Sequence, residues 1–161
     1  MKELFRRYLF LGNICVLFIF SSLLTSCATS NATTTMSNGE TFSKYHYVVF
    51  GELGNGDAEL SDILLEARNE IGLYLKEVDG NEALGLVQKG ENVLSPNINV
   101  KTERWDGGYT YFTVNFYDYV TNKLVGVVKS KGRGLTIEED QTLSLEALRK
   151  ELGKRFSPQN N

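Results

Sequence analysis

Apolar residues recur along this chain in different rhythms, and each rhythm predicts a different element. Positions 9–24 are almost continuously apolar, interrupted by Gly12, Asn13, Ser21 and Ser22. Positions 45–50 form a short β-type run of aromatic and β-branched residues. From 60 to 78, Leu60, Ile63, Leu64, Ala67, Ile71, Tyr74, Leu75 and Val78 recur at steps of three and four, the stripe of an amphipathic helix. Asp57 is placed to cap that helix, and Asp79-Gly80 to end it. Positions 81–96 show no clean period and read as a packed loop or a single turn. The period then shortens to two. Ile98, Val100 and Thr102 share one side of a strand, and Phe112, Val114 and Phe116 one side of the next. Asp106-Gly107-Gly108 between them is a hairpin signal, because these residues tolerate positive φ. A turn at 118–122 leads to a third β-rich run at 123–130. Thr136-Ile137-Glu138-Glu139 is a capping box opening a helix whose apolar face is Leu145, Leu148, Leu152 and Phe156. Pro158 and a polar tail, 158–161, stop it.

The predicted order is β-α-β-β-β-α in a single α+β domain spanning 44–157. Two amphipathic helices each need a surface to cover. The simplest arrangement is a two-layer sandwich, a four-stranded mainly antiparallel sheet with both helices on one face. Phe112, Val114 and Phe116 then enter the core. The opposite face carries Tyr47, Lys101, Glu103, Trp105, Tyr111, Asn115 and Tyr117.

The N-terminal apolar run has its own reading. Lys2, Arg6 and Arg7 precede it, and Leu24-Thr25-Ser26-Cys27 follows it. A charged start, an apolar centre and small residues before a cleavage point make 1–26 an export signal. The run is too short for the roughly 20 residues of a spanning helix. Leu24, Thr25, Ser26 and Cys27 resemble the lipobox of bacterial lipoproteins. The resemblance implies cleavage before Cys27 and acylation of that residue, so that membrane lipid is the first expected partner. Cys15 would leave with the signal, so the mature chain would have no thiol for a disulfide or a metal site. Cleavage would leave 14 Lys+Arg against 19 Asp+Glu, a net charge of −5. That balance, with no basic run in the sequence, argues against nucleic acid. Residues 28–43 are rich in Ser, Thr, Asn and Gly and are expected to form a flexible tether of roughly 20–25 Å reach.

A broader resemblance covers positions 111–156. Strand, Asp118-Tyr119-Val120-Thr121-Asn122 turn, strand, Gly132-Arg133-Gly134 and a helix ending in Phe156 are similar to small Gram-negative envelope lipoproteins of two-layer α/β build. These include the N-terminal domain of the Tol translocation protein, the curli-export lipoprotein and the lipopolysaccharide-assembly lipoprotein. The resemblance implies a binding or assembly module and carries over no functional residues. Ala28 after Cys27, in place of an aspartate, implies the outer membrane, and the lack of the acidic export tag that some such families place there implies the periplasmic side.

The residues that could carry chemistry are few. Gly51, Gly54 and Gly56 have neither dinucleotide nor P-loop spacing and read as a turn. Lys131-Gly132-Arg133-Gly134 reads as a loop whose cations are neutralised by Glu138, Glu139 and Asp140. Asp62, Glu66 and Glu70 recur every four residues as a solvated helix face. His46 is the only histidine, which leaves a triad or zinc site without partners. No metal or cofactor is expected. The aromatic set Tyr47, Trp105, Tyr109, Tyr111 and Tyr117 is the candidate interface, because Trp and Tyr combine apolar area with a polar tip. These readings together predict a non-enzymatic lipoprotein that binds an envelope protein or glycan. The alternatives are a structural lipoprotein that self-associates and a small carboxylate-based hydrolase.

Overall fold

The computed structural model describes residues 28–51, 58–105 and 107–156. The signal segment, Cys27, Asp57 and the tail at 158–161 lie outside the described residues. The elements in chain order are β1 (Thr29–Met36), a 3-10 turn (Phe42–Lys44), β2 (Tyr45–Val48), α1 (Ala58–Gly72), β3 (Lys76–Glu77), α2 (Gly80–Gln88), β4 (Asn92–Thr102), β5 (Thr110–Asp118), β6 (Leu124–Arg133) and α3 (Ile137–Arg155). The six strands form one sheet in the order β1-β6-β5-β4-β2-β3. The meander β4-β5-β6 and the added β1 are antiparallel, whereas β2 runs parallel to both β3 and β4.

This corrects the expected four-stranded, mainly antiparallel sheet with two helices: among the described residues the sheet is mixed and six-stranded, and there are three helices. Three segments account for the difference: 29–36, 81–96, and the end of the expected 60–78 helix, which forms β3. Residues 29–36, read as part of a tether, pair with β6 along their whole length, from Thr29 opposite Arg133 to Met36 opposite Gly126. Four of those eight residues are threonines, whose β-branched side chains favour extended backbone despite their polarity. Their alternation is set by small groups, with Ala32, Thr34 and Met36 on the side facing α3, so hydrophobicity alone gives no period. The second segment, 81–96, divides into α2 and the first half of β4. Asp79 caps α2: its Oδ1 accepts from the backbone N–H groups of Asn81 and Glu82, both at 2.8 Å. The stripe beginning at Leu60 therefore ends its helix at Gly72, and Leu75 and Val78 reach the core from the short connection that contains β3.

The main core lies between the sheet and the pair α1/α3. Val48, Leu94, Phe112, Val114, Phe116 and Val128 from the strands meet Ile63, Ala67, Ile71, Leu148, Leu152 and Phe156. Phe42 joins them, its ring 5.1 Å from Phe116 and 4.7 Å from Phe156. Gly132 lets α3 approach the sheet closely, since a Cβ there would collide with the backbone of Ser144 and Asp140. The opposite face is covered only at the β2–β3 end, where α2 packs Ala83, Leu86 and Val87 with Tyr47, Val49, Val93 and Tyr119. Over the rest of that face, on β4, β5, β6 and β1, no helix of the described residues lies.

Candidate ligand-binding face

Register decides what the uncovered face carries. Lys101 stands opposite Tyr111, Tyr111 opposite Lys131, and Lys131 opposite Asn31. The next row is Asn99, Thr113, Lys129 and Thr33, and the third is Asn97, Asn115, Val127 and Thr35. Adjacent strands are about 4.8 Å apart and successive same-face residues about 7 Å. Lys101, Lys129, Lys131 and Arg133 are all exposed. The strand residues of this face include no carboxylate; Glu103 follows just after the end of β4. The ion pairs of the described residues lie elsewhere, and none uses these four cations. A chain of net charge −3 thus gathers a positive patch on one side.

The patch is braced by aromatics. The Lys131 ammonium lies 5.4 Å and the Arg133 guanidinium 5.6 Å from the Tyr109 ring centre, within cation–π range. Tyr109 and Tyr111 are 5.8 Å apart. Burial, then the charges of Glu103 and Tyr109, push the Tyr111 hydroxyl above its ordinary value. The asparagines and threonines between the cations supply both donors and acceptors. The arrangement can hold an extended, hydroxylated, negatively charged ligand lying across the strands.

Of the five aromatic positions expected to form an interface, the structure brings Tyr109 and Tyr111 together. Trp105 sits beyond the strands at the tip of the β4–β5 hairpin, exposed; Gly107 there has φ +80° and a Gly108 N–H to Trp105 carbonyl bond of 2.9 Å closes the turn. Tyr117 lies at the far end of β5, roughly 20 Å from Tyr111 along the strand. Tyr47 packs with α2 and does not join them.

Lys131-Gly132-Arg133 is part of β6 and not a loop. Two of the three acids expected to neutralise it are turned to the loop backbone instead, and the third, Glu138, is exposed at a groove beside α3. Asp140 accepts from the Gly134 N–H, and Glu139 from the Leu135 N–H at 2.7 Å. The cations were legible singly, but their gathering was not. The nearest signal is the period-two spacing of Lys129, Lys131 and Arg133, and Lys101 joins only through the β4–β5–β6 register.

The other positions singled out in the sequence fall outside this face. Glu70 is buried, not solvated, and accepts from Arg149 Nε (2.6 Å) and Nη2 across the α1–α3 contact. Asp62 and Glu66 are exposed on α1, and His46 is exposed on β2. Gly51 is exposed, with Gly54 and Gly56 outside the described residues. Asp118 closes the β5–β6 turn, accepting from Thr121 N–H and Oγ1, both at 2.8 Å, and from the Tyr45 hydroxyl at 3.2 Å. Burial would raise the Asp118 carboxyl, but these bonds outweigh it and hold it below the ordinary range. Among the described residues no group of three His, Cys, Asp or Glu is placed to hold a metal, and no helix is long and apolar enough to cross a membrane. A groove of about 320 Å³ between the end of β4 and the start of α3 is lined by Leu60, Thr102, Arg104, Ile137, Glu138 and Gln141.

No protein-family model matches the chain, and no curated protein matches it in sequence. Among solved structures it is similar to a PelC dodecamer from Paraburkholderia phytofirmans. The identity is 13%, with 81% of this chain and 100% of that one covered and a TM-score of 0.44. A single-substitution variant of that dodecamer gives 12% identity, coverage of 74% and 95%, and a TM-score of 0.41. At these values the likeness carries no inference about function.

Proposed function

We propose that the protein is a lipid-anchored envelope module that holds an acidic glycan on its open sheet face and does no chemistry on it. The observation that carries this reading is the positive patch of Lys101, Lys129, Lys131 and Arg133 on an uncovered sheet face of an otherwise acidic chain. Charge complementarity selects anionic ligands and speeds their encounter. The neighbouring Asn, Thr and Tyr groups suit hydroxyls, and rows of such groups running across the strands suit an extended polymer. Anchorage rests on Leu24, Thr25, Ser26 and Cys27; Ala28 favours the outer membrane, and the lack of an acidic export tag favours its periplasmic side.

The test is binding of polygalacturonate, with dextran as the uncharged control. A Lys101→Glu/Lys129→Glu chain reverses two exposed charges. With each exposed contact contributing about 0.2–1 kcal/mol, the loss of two should weaken retention roughly two- to thirtyfold. Added salt should weaken the wild type in the same direction. Equal retention of the two chains would refute the reading, as would wild-type binding no stronger to polygalacturonate than to dextran.

A further inference from the structure

A second surface, at one end of the sheet, concerns the bilayer and goes beyond the sheet-face reading, sharing its anchor and the two cations Lys131 and Arg133. The end of β4, the start of β5, the end of β6 and the start of β1 all lie together, because Thr102 pairs with Thr110, Thr110 with Gly132, and Thr29 with Arg133. Two connections project from that end. The β4–β5 hairpin carries Trp105, 64% exposed, and the β6–α3 loop carries Leu135, 79% exposed. These are the two most exposed large apolar side chains of the described residues. Ile137, 43% exposed, opens α3 beside them and shares a groove with Arg104 of the hairpin. Lys131 and Arg133 stand next to this rim, and a Cβ on Gly107 of the hairpin would meet the Arg133 guanidinium. Among the described residues the acids nearby are Glu103, Glu138, Glu139 and Asp140, the last two engaged by loop N–H groups; Asp106, next to Trp105 in sequence, lies outside the described residues.

We infer that this rim docks on an anionic phospholipid surface, with Trp105 and Leu135 entering the interface and Lys131 and Arg133 meeting phosphate head groups. Exposed indole and aliphatic groups beside cations are the composition that an interfacial site requires. The chain path supplies the orientation. Only Ala28 separates Cys27 from Thr29, so two residues of backbone reach at most about 7 Å. An acyl anchor at Cys27 has no tether and holds this end of the sheet, not another, against the bilayer.

Trp105 is the only tryptophan, so its fluorescence reports on the rim alone. The acylated full-length protein is placed in vesicles of phosphatidylethanolamine and phosphatidylglycerol whose acyl chains carry bromine near the head group. Docking predicts a blue-shifted emission and loss of most of it to bromine quenching. Leu135→Asp, at an exposed position that leaves the far-UV spectrum unchanged, should restore most of the emission. Replacing phosphatidylglycerol with phosphatidylcholine should restore part. Unquenched, water-like emission from protein that still floats with the vesicles would overturn the inference while leaving the anchor and the glycan reading standing. A blue shift without quenching would also overturn it, because it would place Trp105 against another copy of the protein.

Discussion

Replacing Thr34 with Val tests whether residues 29–36 are a docked strand or a tether, because it removes one hydroxyl from a position where only a docked strand would use it. Thr34 Oγ1 donates to Glu151 Oε1 on α3 at 2.6 Å. Glu151 is 3% exposed and also accepts from Lys154 Nζ at 2.9 Å and from Arg155 Nε and Nη2 at 3.1 and 3.0 Å. A hydrogen bond to a buried charge contributes about 1.5–3 kcal/mol. Because Lys154 and Arg155 remain, the expected loss for Thr34→Val is about 1–2 kcal/mol at neutral pH, or roughly 5–10 °C in melting temperature. The pH dependence gives a second reading. Burial alone would raise the Glu151 carboxyl, but the bonds from Thr34, Lys154 and Arg155 outweigh it and hold it below its ordinary value. A depressed carboxyl contributes stability that is present above the unfolded value, about 4.3, and is lost as pH falls through the folded one. The difference between the two chains should therefore shrink on acidification below that range. The assay is urea unfolding followed by far-UV circular dichroism at neutral and acid pH. Coincident curves at neutral pH would refute the docking of β1. A difference that persists undiminished in acid would refute the role of the ionised carboxylate.

Gly132→Ala places a methyl against the α3 backbone and should cost about 1–3 kcal/mol, whereas Gly85→Ala, in α2 with open space at its Cβ, should stabilise by about 0.5–1 kcal/mol. Thermal melts of the two variants check that one substitution type has opposite signs at these sites. Cys27→Ser should abolish incorporation of labelled palmitate, read after immunoprecipitation; undiminished label would place any acylation elsewhere.

Local patterns determined a good part of this molecule. The stripe from Leu60 to Ile71 and the face Leu145, Leu148, Leu152, Phe156 are helical because their spacing suits no other backbone, and α1 and α3 follow it. The alternation of Phe112, Val114 and Phe116 settled which side of β5 is buried, and Thr136 caps α3 as its capping box requires, accepting from the Glu139 N–H at 3.1 Å. Tertiary structure decided the rest. A threonine-rich segment is a strand or a tether according to whether another edge accepts it, and β6, some 90 residues away, accepts β1. The short α2 has too few turns for its period to stand out, and it is held by a cap, by Val93 of the strand that follows it and by Tyr47 of β2, more than thirty residues earlier. Alternation places each lysine on a face, but only strand order and register bring Lys101 beside Tyr111 and Lys131. Periodicity is a property of neighbours along the chain, and the charge on a sheet face is a property of neighbours across it.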